Sequence, residues 1–326
     1  MSAKPDRRTF LKTSLAAPAA LAFASRKEVT AEVISEGIPA GAPEVTKELP
    51  CGRIGELQVS RLLLGGNLLT HYTHSRGLVY VDKLAAHYNT DDKIIETMAL
   101  AEKHGINTLV IHTVPAVMRT LRKYREELGG KMQWIICPTA PIEDGMEKYT
   151  AHVQKLVEIG VEAVYLWGVQ TDRLVKDGRL DLIEQAVEVI HGKGVPAGIG
   201  AHDLRVVEQC EDKGIKADFY VKTFHHHSYP NGPTPEELTD PMRELPGYWC
   251  RNPEDTIAFM SKVDKPWIAF KVMAAGAIPP AEAFQYAFDN GADHILAGMF
   301  DFEIAEDTQI VRDLFPKIER NRPWMS

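Results

Sequence analysis

The stretch Gly198-Ile-Gly-Ala-His-Asp203 is a short run of strand type that ends abruptly in a histidine and an aspartate. A second stretch, Val221-Lys-Thr-Phe-His-His-His-Ser-Tyr229, begins as an apolar run and also ends in polar side chains. In a chain that alternates strands and helices, the polar residues that follow each strand collect at one end of a parallel sheet, where α/β enzymes carry out their chemistry. These two stretches therefore indicate both the expected fold and the expected site.

The same pattern of an apolar run followed by an amphipathic segment repeats along the chain. The predicted strands are Ser60 to Gly65, Asn107 to His112, Gln133 to Cys137, Ala163 to Trp167, Ala197 to Ala201, Phe219 to Thr223, Trp267 to Val272 and His294 to Met299. Helical periodicity lies between them at Asp91 to His104, Lys148 to Ile159, Leu180 to His191, Asn252 to Lys262 and Pro280 to Asn290. Eight strand and helix pairs after an N-terminal β-hairpin predict an α/β fold, a (β/α)8 TIM barrel, with a doubly wound open sheet as the structural alternative.

The N-terminus has the pattern of an export signal. Asp6-Arg-Arg-Thr-Phe-Leu-Lys12 places a twin arginine before an Ala-rich apolar run that ends at Ala22-Phe-Ala24, a small-x-small cleavage pattern. This resembles a twin-arginine signal, and the alternative is a fortuitous basic amphipathic start. We predict a signal peptide at 1–24, a linker at 25–46 and a barrel domain at 47–326. The protein would then be recognised by the twin-arginine export machinery and act in the periplasm or outside the cell.

Composition narrows the classes of partner. The 326 residues are 44% hydrophobic and 25% charged with a formal net charge of −8, which is typical of a soluble globular protein and argues against nucleic acid or anionic membrane as the main partner. No stretch after the signal is long and apolar enough to span a bilayer. The four cysteines lie far apart without a C-x-x-C pair, so they indicate neither a zinc knot nor a disulfide framework, although one long-range bridge is compatible with them.

Several segments resemble the aldo-keto reductase family. Gly52-Arg-Ile-Gly-Glu-Leu-Gln-Val-Ser-Arg-Leu-Leu-Leu-Gly-Gly66 is similar to the family's opening hairpin and first strand. Gly105-Ile-Asn107, Ile199-Gly-Ala201 and Phe270-Lys-Val-Met-Ala-Ala-Gly276 then follow in family order and spacing. The resemblance extends from about residue 47 to the C-terminus and implies the family's barrel.

The residues that the family uses for catalysis are missing. Aldo-keto reductases transfer hydride from NADPH with a tyrosine acid supported by lysine, aspartate and histidine. Here the expected aspartate falls on Val110, or on His112 if the strand extends two residues further, and no tyrosine follows at the usual distance. The expected lysine falls on Cys137-Pro138 and the expected histidine on Trp167. The resemblance therefore implies a reused barrel with different chemistry.

The family's cofactor positions are replaced as well. His202-Asp203 and Lys222 stand where a Ser-Asn pair and a glutamine would hold the nicotinamide. An acidic loop, which repels phosphate, stands where basic residues often hold the adenosine phosphate. Its acidic residues are Asp301, Glu303, Glu306 and Asp307. NADP(H) is therefore disfavoured, and a rearranged way of binding the same cofactor is the alternative.

Histidine and carboxylate side chains at several strand ends predict a divalent metal site. Imidazole and carboxylate ligands favour zinc, manganese, iron or nickel over magnesium. The predicted ligands are His202, His225 and Asp203, with His112 and Asp301 as further candidates. Against this stands the common case of a strand-end histidine that is only hydrogen-bonded within the structure.

Two lysines lie inside apolar strand runs, Lys222 and Lys271, where an unpaired ammonium is costly. Each either pairs with a carboxylate or acts as a base or Schiff-base amine, provided that it faces the barrel interior and not the outer helices. Lys271 is the stronger candidate, because an Ala-rich turn ending at Gly276 leaves room for a ligand. Together with His112 and Asp301, these lysines are the predicted catalytic residues.

Two long excursions without predicted regular structure frame this end of the barrel, at residues 67–90 and 228–251. They are rich in aromatic residues, which suits lids or binding loops for carbohydrate, and a surface or oligomer contact is the alternative. The predicted substrate-binding residues follow strands or lie in these loops: Asn67, Trp167, Gln170, Tyr229 and Trp249.

These features together predict an exported barrel enzyme with metal-assisted or His/Lys acid–base chemistry, of lyase, hydratase or isomerase type. The substrate would be a sugar or another small carbonyl or polyhydroxy compound. Two alternatives stay open at this point: an NADP(H)-dependent oxidoreductase with a rearranged site, and a non-catalytic sugar-binding protein.

Overall fold

A computed structural model describes residues 48–239 and 250–324. The first two strands, β1 (Cys51–Ile54) and β2 (Leu57–Ser60), pair antiparallel as the predicted hairpin. The remaining eight strands form one closed parallel barrel in the order β10-β3-β4-β5-β6-β7-β8-β9. They are β3 (Leu62–Gly65), β4 (Thr108–His112), β5 (Gln133–Cys137), β6 (Ala163–Leu166), β7 (Ala197–Ala201), β8 (Phe219–Thr223), β9 (Trp267–Phe270) and β10 (His294–Ala297).

Closure of the sheet confirms the TIM barrel and excludes the open doubly wound alternative. The last strand, β10, pairs with both β9 and β3, where Ile295 lies opposite Ala269 and Leu62. A closed sheet has no edge strand, so every strand's backbone is paired on both sides. All eight carboxyl ends meet at one mouth, as the strand-end pattern of the sequence predicts.

Ten α-helices within the described residues connect these strands. They are α1 (Val79–Tyr88), α2 (Asp91–Lys103), α3 (Pro115–Arg122), α4 (Glu147–Glu158), α5 (Gly168–Lys176), α6 (Leu180–His191), α7 (Leu204–Lys213), α8 (Pro253–Met260), α9 (Pro280–Asp289) and α10 (Ile304–Leu314). Helix α2 shows how the sequence specifies them. The Thr90 side chain accepts a hydrogen bond from the Lys93 amide, and the buried Ile94, Ile95 and Met98 face the barrel.

Alternation along the strands separates two apolar cores. The inner core fills the barrel with side chains such as Leu63, Ile135 and Ile268, and it includes Ile54 and Val59 of the hairpin. The larger core lies between the strands and the surrounding helices. Because neighbouring strand residues point to opposite faces, a strand side chain belongs to one core or the other.

An ion-pair network anchors the C-terminal residues at the opposite end of the barrel from the mouth. Asp293, immediately before β10, is fully buried and pairs with both Arg320 and Arg322. Its carboxylate also accepts the Trp267 amide at 2.8 Å. The Arg322 guanidinium donates to the carbonyls of Met260, Gly291, Val263 and Lys265, so the network joins several loops beneath the barrel.

The structure corrects two local predictions. The excursion at 67–90 is not wholly irregular, because it contains α1, whose weak amphipathic pattern buries only Ala85 completely. Strand β9 ends at Phe270, before the predicted Val272, since Lys271 adopts a left-handed backbone with φ 58° that a strand does not accommodate.

The cysteines form no disulfide. Cys137, Cys210 and Cys250 are buried thiols, and Cys51 is partly buried. No helix in residues 48–239 and 250–324 has the length and apolar character needed to cross a membrane.

Candidate active site

A cavity of about 570 Å³ opens at the carboxyl ends of the barrel strands. Its wall is mainly apolar, with side chains such as Leu68, Ile111 and Phe270, and this size and lining are typical of small-molecule sites. The titratable side chains that border it are His74, His112, His202, Lys271 and Glu303, together with Tyr72 and Tyr165.

His202 is held by a buried carboxylate. Its Nδ1 lies 2.7 Å from Oδ2 of Asp172, and both side chains are largely buried. Oδ1 of Asp172 also accepts the backbone amides of His202 and Asp203, each at 3.1 Å. Because a carboxylate only accepts hydrogen bonds, Nδ1 carries a proton in this pair, and in the neutral imidazole the other ring nitrogen, Nε2, is then the acceptor.

Close packing of α5 against β7 brings this pair together. A side chain at Gly200 would place a Cβ 2.5 Å from the carbonyl oxygen of Leu166, and one at Gly168 would lie 3.0 Å from Cε1 of His202. The Thr171 hydroxyl, one residue before Asp172, donates to the Gly200 carbonyl. Two glycines thus allow helix and strand to approach until Asp172 reaches His202.

His74 and Lys271 enter the cavity from different loops. Burial, together with the positive charges of Lys271 and His202, lowers the pKa of His74 to about 3, so His74 is neutral at physiological pH. Lys271 lies just beyond β9 with its Nζ 5.4 Å from the centroid of the Phe270 ring. An ammonium among apolar walls can stabilise an oxyanion at this position.

Three other predicted residues also border the cavity: His112, Asn67 and Trp167. The His112 ring makes an edge contact with Tyr72 at 5.6 Å between centroids. Burial lowers the pKa of His112, which keeps its imidazole neutral as well.

The structure places other predicted site residues away from the cavity wall. Gln170 is hydrogen-bonded to the backbone of a neighbouring loop: its Oε1 accepts the Ile142 amide and its Nε2 donates to the Ala140 carbonyl. Asp301 accepts the Tyr88 hydroxyl at 2.6 Å and pairs with Lys93 at 3.2 Å. Tyr229 is buried beside the His225 and His226 rings. Trp249 lies outside the described residues, so its predicted role stays a prediction.

Lys222 lies on the outer side of the barrel. Its neighbour Val221 belongs to the inner core, so alternation directs Lys222 toward the helices. The side chain is fully buried, and its Nζ donates to the Thr223 carbonyl at 2.8 Å. This placement does not support the predicted catalytic role, which requires a side chain that faces the interior.

The predicted metal ligands are not gathered at one point. His225 accepts the Cys250 amide on Nε2 and donates from Nδ1 to His226 O, so neither nitrogen offers a lone pair to a metal. Asp203 caps α7 and pairs with Arg205 at 2.7 Å. Within residues 48–239 and 250–324, no three His, Cys, Asp or Glu side chains are grouped to hold a metal ion. Of the predicted ligands, His202 and the further candidate His112 border the cavity.

Sequence reasoning missed Asp172 and assigned no role to His74 beyond its lid loop. Asp172 lies in the second turn of α5, the helix that begins directly after Trp167. A carboxylate this close to a strand end is the feature of the sequence that could have identified it. His74 lies in a loop, where no periodicity tells which side chain turns toward the barrel.

The carboxyl group of Asp307, in α10, has a raised pKa. Asp307 is buried in α10, and burial together with Glu303 and Glu306 raises its pKa to about 7. The pKa of Asp307 is higher in the folded protein than in the unfolded chain, so folding favours the protonated carboxyl. The stability that this group contributes is therefore full at low pH and is lost as pH rises through about 7.

We therefore expect Asp307→Asn to flatten the pH dependence of stability. Between pH 5 and 8 the wild-type protein should lose about 1 to 2 kcal/mol through this group, after allowance for solvent screening, and the variant should not. Urea unfolding at both pH values measures the difference, with the exposed Asp313→Asn on the same helix as control. Parallel pH curves for wild type and Asp307→Asn would contradict the expectation.

Comparison with known proteins identifies the N-terminal signal. Residues 4–24 match the model of the TAT (twin-arginine translocation) pathway signal sequence. The predicted export to the periplasm or beyond is therefore confirmed. No curated protein matches the chain.

Solved structures show barrels similar to this one. An N-acetylneuraminic acid synthetase from Leptospira borgpetersenii serovar Hardjo-bovis, in complex with citrate, shares 11% identity at a TM-score of 0.47, covering 82% of this chain and 90% of that one. A type I 3-dehydroquinate dehydratase from Clostridium difficile shares 13% at 0.46, covering 83% and 99%. An N-acetylmannosamine-6-phosphate 2-epimerase from Clostridium perfringens shares 16% at 0.40, covering 70% and 85%.

Such distant similarities concern the fold and supply no argument about activity. None of these three structures is an aldo-keto reductase, and the family resemblance stays a hypothesis.

Proposed function

We propose that this exported barrel is an enzyme that moves protons on a small carbonyl or polyhydroxy compound, as a lyase, hydratase or isomerase. The observation that supports this most directly is the 2.7 Å contact between Asp172 and His202, with the imidazole at the cavity wall. A histidine oriented by a buried carboxylate is a general base that works near neutral pH. Lys271 borders the same cavity and supplies positive charge.

The roles follow from the chemistry of each group. Nε2 of His202 removes a proton from the carbon next to a carbonyl, and the C–H electron pair forms an enolate. Asp172 stabilises the imidazolium that results, and the Lys271 ammonium stabilises the enolate oxygen. In an elimination the imidazolium protonates a departing β-hydroxyl, which leaves as water. In an isomerisation it returns the proton to the former carbonyl carbon, while the hydroxyl proton on the adjacent carbon passes to the enolate oxygen.

The cavity also limits the substrate. Lys271 is the only lysine or arginine on its described wall, and the acidic Glu303 borders it as well. A phosphate ester is therefore disfavoured, whereas an uncharged or singly anionic compound is compatible. Rings such as Tyr72, Trp167 and Phe270 supply the apolar faces that stack on a sugar or a similar ring.

Three other hypotheses make different predictions. A divalent metal at His202 would make the activity sensitive to chelators, whereas the proposed proton transfer needs no metal. An aldo-keto reductase with a rearranged site would quench NADPH fluorescence on binding. A purely sugar-binding protein would bind without turnover.

Exchange of carbon-bound hydrogen with D2O tests the proposal. The mature protein is incubated with a panel of hydroxy-aldehydes, hydroxy-ketones and hydroxy-acids, and NMR follows the loss of C–H signals. We expect exchange in at least one compound, lowered about a hundred- to ten-thousandfold in His202→Ala, because general bases contribute about that much. Exchange that His202→Ala leaves unchanged, or none across the panel, would contradict the proposal.

A further inference from the structure

The loop at residues 67–78, here called the mouth loop, crosses the open end of the barrel. Leu68, Tyr72, Thr73 and His74 of this loop all border the cavity. His74 is partly buried and borders the cavity, so a movement of the mouth loop changes the entrance to the site. The contacts that hold the mouth loop in place therefore control access to the site.

Arg76 ties the mouth loop to two other loops. Its Nη1 donates to the carbonyl of Ala274 at 3.2 Å, and its Nη2 donates to the carbonyl of Asn231 at 3.0 Å. The guanidinium also lies 5.9 Å from the centroid of the Tyr229 ring. One planar side chain thus joins the loops that follow β3, β8 and β9, which suits the fixed fork geometry of arginine.

The loop that receives Arg76 has an unfavourable backbone. Lys271, Ala274 and Ala275 all have positive φ, at 58°, 46° and 56°, and Gly276 follows at 80°. Residues with a Cβ rarely adopt this region, and they keep it only when their surroundings enforce it. The Ala274 amide donates to the Lys271 carbonyl at 2.9 Å, so Ala274 and Lys271 belong to one turn.

We infer that Arg76 is a positioning residue that couples closure of the mouth loop to the placement of Lys271. When the mouth loop is closed, Arg76 holds the Ala274 carbonyl and with it the strained turn that directs Lys271 into the cavity. When the mouth loop opens for substrate, that bond is lost, the turn relaxes, and His74 and Lys271 leave their positions together. Only the catalytic role of Lys271 in this inference rests on the proposed function.

Lysine acetylation measures the coupling without any substrate. The mature protein is treated with the N-hydroxysuccinimide ester of acetic acid, and mass spectrometry follows each lysine, with the exposed Lys216 as internal reference. Loss of two charge-assisted hydrogen bonds in Arg76→Ala should raise the rate at Lys271 about tenfold or more. Arg76→Lys should give an intermediate rate, because an ammonium cannot bridge both carbonyls as the planar guanidinium does.

Hydrogen exchange tests the strain directly. The amides of Ala274 and Ile278, which bond to Lys271 O and Met273 O, should exchange faster in Arg76→Ala. Adding Ala274→Gly to that variant should slow them again, because glycine adopts positive φ without strain. Arg53→Ala, on the hairpin at the far end of the barrel, removes an exposed arginine that pairs with Glu56 and should change neither measurement.

The outcomes separate this inference from the proposed function. Lys271 acetylation within about twofold of wild type in Arg76→Ala, where a tenfold change is expected from the lost hydrogen bonds, would overturn the coupling even if His202→Ala abolishes proton exchange. If these amides still exchange as fast after Ala274→Gly is added to Arg76→Ala, backbone strain is not what loosens the turn. Faster acetylation with no proton exchange in any compound would support the coupling while the proposed function fails.

Discussion

Asp172→Asn is expected to lower the rate of His202-dependent proton exchange by about ten-thousandfold, the loss found when the carboxylate of an Asp–His pair becomes an amide. The asparagine NH2 group donates to Nδ1 of His202 and moves the ring proton to Nε2, the nitrogen that must accept the substrate proton. The same NMR exchange assay measures this loss with the compound that exchanges fastest in wild type.

The fold should survive this substitution, which makes the result specific. The amide oxygen of asparagine can still accept the backbone amides of His202 and Asp203, as Oδ1 does now. Asp177→Asn, at the exposed end of the same helix, is the matched control and should keep full activity. A rate in Asp172→Asn within about threefold of wild type, far from the loss expected for this tautomer change, would show that His202 is not the base.

Asp293→Asn is expected to lower the free energy of unfolding by about 3 to 5 kcal/mol, the usual cost of removing one partner of a buried ion pair. The substitution leaves the guanidinium of Arg322 buried without its counter-charge, and Arg320 loses the same partner. Arg322 is only 3% exposed, so water cannot replace the carboxylate. Urea denaturation of the mature protein measures the change.

The matched control is Asp289→Asn at the exposed C-terminal end of α9. It removes the same charge four residues earlier and should change stability by no more than about 0.5 kcal/mol. A loss below about 1 kcal/mol in Asp293→Asn would mean that the arginines find other partners and that the network does not anchor the C-terminal residues.

The barrel was predictable because its evidence is local. Apolar runs of four or five residues and amphipathic helices between them follow from hydrogen bonding and burial within each element. The strand bounds differ from the prediction mainly at carboxyl ends, as at Lys271, where a left-handed backbone ends β9. Helix α1 escaped prediction because its exposed side chains, Val79, Tyr80 and Leu84 among them, break the amphipathic pattern.

The site was predictable only in part. His112, His202 and Lys271 follow strand ends and border the cavity, as position along the chain suggests. Lys222 also lies at a strand end but points outward, because one residue of register reverses the face of a strand side chain. His225 lies in the same stretch, yet its ring nitrogens bond to backbone atoms.

The sequence by itself determined the export signal, the alternation of strands and helices, and which end of the barrel holds the polar residues. Only the tertiary structure decided which of those residues act together. Asp172 meets His202 across 30 residues and Arg76 meets Ala274 across 198, and no local pattern encodes such contacts. The reason is physical: hydrophobic periodicity sets the face that a side chain occupies, whereas a hydrogen-bonded pair depends on distances fixed only when the barrel closes.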